Sequence, residues 1–180
     1  RCTRARGWST AGSGPRNMIE IKPMQAGQWQ LHKSVRRAAL ANAPNAFSST
    51  LDDVLKRSDA EWQQLTRQYA SHPNSHTYFA FENYIACGIS ACVINGEDVE
   101  LFSVWVDPKH RRKGVGRALV EYGRKWSLSK GAIRIMVGIY QDNHNAVAFY
   151  RSMGFVDSGQ VDPVLSSRNR AVFLFSMQLR

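Results

Sequence analysis

The sequence predicts a mixed α/β fold: a mixed, mostly antiparallel central sheet of six to seven strands with one parallel β-α-β crossover, flanked by about four helices. Three observations carry this. Between residues 77 and 106 the apolar period is two, with turn signals between the runs. From residue 98 to 139 the order is strand, Gly-rich loop, helix, strand, which implies a right-handed crossover and a parallel pair. Most other strands follow one another through hairpins, which argues against a doubly wound sheet.

Residues 18–24 (MIEIKPM) alternate and read as a first strand. Trp29, Leu31, Val35, Ala38, Ala39 and Leu40 recur at helical spacing, so a helix is expected over residues 27–42. Residues 43–53 read as a loop, with Pro44 and Asn45 as breakers. A second helix follows over residues 59–70, with Asp59 as its N-cap. Strands are expected at 77–81 and 84–94, joined through Glu82-Asn83. Asn95-Gly96 is a two-residue hairpin signal leading into a strand over 98–106. Residues 101–106 of that strand are apolar on both faces, as in a central strand. The next helix runs to about residue 130, with Val115, Leu119, Tyr122 and Trp126 as its buried stripe, Glu121 and Lys125 as an i,i+4 pair, and Gly131 as its stop. Ile133, Ile135, Val137 and Ile139 alternate as a fifth strand. A short helix over 143–153 and two closing strands, from Phe155 onward and over 171–179, complete the order.

The chain has 180 residues, 43% of them hydrophobic and 21% charged, enough for one domain with a real core. No apolar run reaches the length of a membrane span. The formal charge is +10. Residues 1–17 hold Arg1, Arg4, Arg6 and Arg16 and no acid, and removing these four leaves 20 basic against 14 acidic residues. This segment lacks periodicity and reads as a leader, transit-like or added, with the folded domain over 18–180. Five of the remaining cations lie between residues 109 and 117. Charge gathered on one loop suits a compact polyanion better than a long one. Of the three cysteines, Cys87 and Cys92 lie five apart on one strand. That spacing puts them on opposite faces, roughly 16 Å apart and beyond the reach of a disulfide. Both are expected to be reduced core residues, which fits a cytoplasmic setting.

The chemistry concentrates after residue 106, where an apolar strand gives way to a basic loop and then to a helix. Free backbone N–H groups and positive charge at a helix N-terminus make a place to hold a pyrophosphate. Gly114 and Gly116 lack Cβ atoms, so the backbone can approach phosphate oxygens. A helix N-terminus supplies about 0.3–2 kcal/mol per favourable charge, whereas micromolar binding needs about 8 kcal/mol. A second set of contacts is therefore required.

Two motifs supply an expectation for it. Arg111-x-x-Gly114-x-Gly116 follows a strand, and Asn143-x-x-Ala146-x-x-x-Tyr150-x-x-x-Gly154-Phe155 lies one strand later. Together with the element order from about residue 18 to 180, they resemble the GNAT acyltransferase superfamily, which moves an acyl group from coenzyme A to an amine. The resemblance implies an N-acetyltransferase with acetyl-CoA as co-substrate and no metal. Transfer would be by direct attack in a ternary complex. Implied cofactor contacts are Arg111, Arg112, Lys113, Gly114, Val115, Gly116 and Arg117 at the loop, and Asn143, Ala146 and Tyr150 on the short helix. The resemblance further implies that the strand carrying Val104, Trp105 and Val106 splays from its parallel neighbour, so that the pantetheine arm pairs with free backbone groups.

Tyr150 would protonate the leaving thiolate, since a phenol with a pKa of about 10 keeps its proton at neutral pH. The plainer reading is a core aromatic; Tyr150 and Phe149 are adjacent and cannot face the same way. Glu100 would be the general base, directly or through water, because an ammonium has no lone pair with which to attack. Its plainer reading is an exposed strand-edge residue, and Glu82 and Glu97 are weaker rivals in turns. Asn143 would contact the cofactor or cap its helix, with Asn145 competing for the cap. The histidines and cysteines show no metal-ligand spacing.

In the family, the segments equivalent to 43–53 and 157–170 shape the acceptor site. Asp52 and Asp53 could attract a cationic amine, but read better as solvated helix-start residues. The resemblance implies a small-molecule amine or a protein amino group as acceptor and no membrane partner; many members of the family pair as homodimers. Two other classes are weighed. A nucleic-acid-binding module would use the basic loop 109–117, but lacks interleaved aromatics. A non-catalytic CoA-binding protein would bind the carrier without releasing thiol.

Overall fold

The computed structural model describes residues 18–47, 49–162 and 171–180. The leader read over 1–17 and the 163–170 part of the acceptor segment lie outside the described residues. Seven strands form one sheet in the order β1-β2-β3-β4-β5-β7-β6. They are β1 (Ile19–Pro23), β2 (Ser75–Glu82), β3 (Ile85–Asn95), β4 (Asp98–Val106), β5 (Arg134–Tyr140), β6 (Val156–Val161) and β7 (Val172–Gln178). Only β4 and β5 pair in parallel. Five α-helices are described: α1 (Trp29–Asn42), α2 (Leu51–Leu55), α3 (Asp59–Ser71), α4 (Val115–Ser129) and α5 (His144–Ser152). None of the described helices is long and apolar enough to cross a membrane.

The departures from expectation have local causes. Residues 43–53 are not all loop: Pro44–Ala46 make one 3-10 turn, and α2 starts at Leu51. Thr50 and Asp53 close a reciprocal cap there, so Asp52 and Asp53 are helix-start residues. Asp59 is not a cap. Ser58 caps α3, accepting from the Glu61 amide while the Glu61 carboxylate accepts from the Ser58 amide at 2.7 Å. Asp59 instead pairs with Lys33 of α1 at 2.6 Å. The β2–β3 turn is Asn83-Tyr84, both left-handed at φ 50° and 68°, and the β3–β4 turn centres on Gly96-Glu97. Each link lies one residue later than read. On α4, Val115, Leu119, Val120, Gly123 and Ser127 are buried, while Tyr122 and Trp126 flank the stripe half-buried. Glu121 pairs with Arg124 rather than Lys125, at 3.0 Å.

The two faces of the sheet are covered differently. α4 and α5 pack over the main cluster, which holds Tyr78, Leu101, Leu119, Ile135, Val137 and Phe155. α1 closes the other face through Val35 and Ala39 against Phe79, Ile89 and Trp105. Cys87 and Cys92 are both buried and both free, as read, but they are not on opposite faces. The β2–β3 register slips between Ala80 and Phe81, leaving Cys87 as an extra residue in β3. That bulge turns its thiol into the same cluster as Cys92.

A second bulge matters more. Val99 and Leu101 of β4 point into the main cluster; after them the inward residues are Val104 and Val106, three positions on instead of two. The β3–β4 register shifts between Ile89 and Ala91, and Ser103 is left-handed at φ 55°. A left-handed non-glycine residue costs about 1–2 kcal/mol, so the surrounding packing must hold it.

Candidate active site

The bulge at Ser103 bends β4 away from β5. The parallel ladder runs from Asp98↔Arg134 to Leu101↔Val137 and ends there. At its closed end the Asp98 carboxylate accepts two bonds from Arg134, at 3.0 and 2.5 Å. Beyond Leu101, residues 102–106 face a gap rather than a strand. β5 continues to Tyr140 on β7 alone. An open cleft of about 170 Å³ lies in that gap. Its walls come from residues 100–104 of β4, residues 137–140 of β5, Asn143 just before α5, Ala146 and Tyr150 of α5, and Arg36 of α1. The splay expected for Val104–Val106 is therefore present, with the side chains of Val104 and Val106 in the main cluster and Trp105 buried on the α1 face.

At the wide end of the gap α4 begins. Asp107 accepts from the Lys109 amide at 2.9 Å and starts a 3-10 turn over Pro108–His110. Arg112 and Gly114 are both left-handed, at φ 63° and 90°, and coil the loop into the helix. Glycine at 114 is required by that angle, not by crowding, since a Cβ there would meet only Ile19 at 3.8 Å. Gly116 packs against α5: a Cβ there would lie 3.4 Å from the Phe149 ring, at ordinary contact distance. The first carbonyl used inside α4 is that of Gly114, which accepts from Ala118 at 2.9 Å. The amides of Val115, Gly116 and Arg117 thus have no carbonyl one turn back, and no acidic side chain occupies the first turn.

The loop cations divide into two sets. Arg111 turns back to the protein, donating to the Val106 carbonyl at 3.0 Å and to Asn42 Oδ1 at 2.6 Å. Lys113 donates to Glu82 Oε2 at 3.0 Å, and His110 Nδ1 contacts the same oxygen. Lys109, Arg112 and Arg117 are exposed, and their side chains make no hydrogen bond or ion pair among the described residues. Arg111 and Lys113 therefore shape the loop, and Arg112 and Arg117 leave their charge at its mouth. Glu82, read as a turn residue, is a buried anchor at the end of β2. Asn42, which also accepts from Trp105 Nε1 at 3.4 Å, ties α1, β4 and the loop together. Both act across dozens of residues, with no local signal.

The titratable groups in the cleft are Glu100 and Tyr150. Glu100 lines the cleft from the last paired part of β4, and burial, then the charge of Asp162, raises its carboxyl pKa. Tyr150 is nearly fully buried, edge-on to Phe149 and Phe155, and burial pushes its phenol well up. Its hydroxyl makes no hydrogen bond among the described residues. Phe149 turns elsewhere, onto Gly116. Asn143 caps α5, accepting from the Ala146 amide at 3.2 Å, and Asn145 does not. The cap and the cleft wall are the same residue. Sequence reasoning missed Arg36. Its guanidinium donates to Ser49 Oγ at 2.6 Å and Ser103 Oγ at 3.3 Å, lies 4.7 Å from the Phe47 ring centre, and has its pKa lowered by burial. Among the described residues no group of three or more His, Cys, Asp or Glu is placed to hold a metal.

Residues 40–155 match the family model described as Acetyltransferase (GNAT) family. The chain belongs to the GNAT acetyltransferase family. A mycothiol acetyltransferase of Nocardiopsis dassonvillei is 29% identical over 139 residues, covering 76% of this chain and 42% of that protein. The chain spans less than half the length of this relative. A GNAT acetyltransferase from Streptococcus pneumoniae superposes with a TM-score of 0.72 at 21% identity, covering 89% of this chain and 99% of its own. The PaiA N-acetyltransferase of Thermoplasma acidophilum, in complex with coenzyme A, gives 0.70 at 17% identity, with 89% and 99% covered. At these identities the two structures share the fold of this GNAT domain.

Proposed function

We propose that this GNAT domain transfers an acetyl group from acetyl-CoA to a primary amine by direct attack in a ternary complex. One observation carries the reading: the β4–β5 ladder ends at Leu101↔Val137, leaving a cleft lined by Glu100 and Tyr150 beside the strand that runs on into the open amides of α4. A long, thin anion with an extended amide-bearing arm suits that shape. The amides of Val115, Gly116 and Arg117, with Arg112 and Arg117, hold the diphosphate, and Arg111 and Lys113 hold the loop in place. The backbone between Val104 and Val106, unpaired on its β5 side apart from the Val106 carbonyl that Arg111 holds, receives the arm as an added strand would.

Acetyl-CoA supplies the activated thioester. Glu100 takes the proton from the acceptor ammonium, directly or through water, and its raised pKa suits a base working near neutral pH. The amine nitrogen forms a bond to the thioester carbonyl carbon as the C–S bond breaks. A β4 amide facing the gap stabilises the negative charge on the carbonyl oxygen. Tyr150 donates its proton to the departing thiolate, and the surplus proton on the newly acylated nitrogen passes through water to restore the phenol; the raised pKa keeps the proton in place until the sulfur needs it. Holding both reactants in one cleft contributes the proximity term. Two buried free thiols in the core, Cys87 and Cys92, support a reducing, cytoplasmic setting.

The test is thiol release from acetyl-CoA in the presence of a panel of primary amines. Amine-dependent release is expected. Coenzyme A binding with no release from any amine would leave a binding protein and overturn the reading.

A further inference from the structure

The cleft carries charge of both signs. Glu100 enters it from β4 and Arg36 from α1, and no ion pair joins Arg36 to any carboxylate among the described residues. A guanidinium withdrawn from water usually has an anionic partner. Here the partners are neutral: Ser49 Oγ at 2.6 Å, Ser103 Oγ at 3.3 Å, and the face of Phe47 at 4.7 Å. These three contacts fix the direction of the side chain without neutralising it. They use two of its five donors, and the remaining ones are available to the cleft. Ser103 is also the left-handed residue whose bulge opens the cleft. The cation and the gap are therefore built by one feature.

We propose that the acceptor is a small amine that carries a carboxylate, an amino acid in chemical class. Arg36 binds the carboxylate, and the amino group faces Glu100. This rests on the acetyl-transfer reading above and narrows it. An Arg–carboxylate pair in a partly desolvated cleft is charge-assisted and can be bidentate. A polyamine would instead bring a second positive charge towards Arg36. An acceptor lacking the carboxylate would leave the guanidinium without its anion, which is how a polar site rejects the wrong substrate.

The experiment compares α-amino acids with their carboxamides and with the decarboxylated amines in the thiol-release assay. Within each set the side chain is constant and only the carboxylate changes. The amino acids are expected to give kcat/KM about tenfold to a hundredfold above their carboxamides, mostly through KM. Arg36→Gln should bring that ratio close to one, and Arg36→Lys should recover part of it. Calorimetric titration with coenzyme A separates a folded variant from a collapsed one, and the preference of the unaltered chain is measured without any variant. Equal or better turnover of the decarboxylated amines would overturn the assignment. So would an Arg36→Gln variant that slows acids and carboxamides by the same factor. Both outcomes leave acetyl transfer standing, whereas release from no amine at all removes that reading and this one with it.

Discussion

The Glu82 carboxylate, buried at the end of β2, accepts a hydrogen bond from the Lys113 ammonium at 3.0 Å, 31 residues further along the chain. His110 reaches the same oxygen. The basic loop is thus pinned to the sheet by one carboxylate, and the geometry of the α4 amides depends on it. Lys113, and after it His110, hold the Glu82 pKa below its ordinary value near 4.5. The unfolded chain therefore binds this proton more readily than the folded one, and the contribution to stability is complete above pH 4.5 and lost as pH falls through the folded pKa. Thermal unfolding followed from about pH 3 to pH 7 should show that acid-side loss, and Glu82→Gln should flatten it. The same variant should bind coenzyme A several-fold more weakly in calorimetry, since the loop loses its anchor. A variant with native affinity and a native pH profile would contradict this.

The depth at which α4 lies on the sheet is set by Gly123. A Cβ there would lie 2.5 Å from Tyr78 Oη, 3.1 Å from Cys92 Sγ and 3.2 Å from Leu101. Tyr78 Oη is held in place, donating to the Leu119 carbonyl at 3.1 Å. Gly123→Ala should therefore destabilise by about 1–3 kcal/mol through overpacking. Tyr78→Phe removes the hydroxyl at a cost of about 1 kcal/mol for the lost hydrogen bond. The double variant should be more stable than the sum of the two predicts, by about 1 kcal/mol in a denaturant-unfolding cycle. Simple additivity would show that the hydroxyl is not the obstacle.

Much of this architecture is local in the chain and was legible there. The strand over 98–106, the Gly-rich start of α4, the stop at Gly131 and the crossover to β5 each follow from period and turn chemistry. What stayed hidden depends on partners distant in sequence. The bulge in β4 is one case: residues 101–106 are apolar on both faces, so a shift of phase leaves the pattern unchanged. Ser103, the lone polar residue of that run, was its only local trace. Arg36 and Arg37 look alike on α1, and only the packed cleft shows which one turns inward. Asn42 and Glu82 hold the loop across 69 and 31 residues, distances at which sequence periodicity carries no information.

Gly114 separates backbone strain from charge. Its φ of 90° lies in the left-handed region, and a Cβ would have room. Gly114→Ala should cost about 1 kcal/mol of stability and leave measurable coenzyme A binding. Gly114→Glu meets the same strain and gains from an anion at a helix N-terminus, so it should be no less stable than the alanine variant. Its carboxylate nevertheless occupies the place proposed for the diphosphate, and coenzyme A binding should disappear from the calorimetric trace. Equal affinity in the two variants would place the diphosphate elsewhere.

Tyr150 is a buried phenol without a hydrogen-bond partner among the described residues, which makes its removal informative. Tyr150→Phe leaves no orphaned group behind, so stability should change by less than about 0.5 kcal/mol. Coenzyme A affinity should hold as well. Turnover should fall by about tenfold to a hundredfold if the phenol protonates the thiolate. Wild-type turnover in the variant would reduce Tyr150 to a core aromatic.

Glu100 carries the sharpest contrast, because its roles in stability and in turnover have opposite signs. Burial, then Asp162, raises its pKa above the ordinary 4.5, so the folded state holds the proton more tightly than the unfolded one. Its contribution to stability is fully present below pH 4.5 and is lost as pH rises through the folded pKa. At neutral pH the ionised carboxylate is a burden on the fold, and Glu100→Gln, neutral at every pH, should raise the melting temperature there. As the general base, the same residue should give kcat/KM an acid limb whose midpoint lies above 4.5. Glu100→Gln should abolish that limb and lower kcat by about a hundredfold or more. A more stable, slower enzyme with a flat acid limb is the expected triad of results. A more stable variant that keeps the limb would transfer the base role to water or to another group.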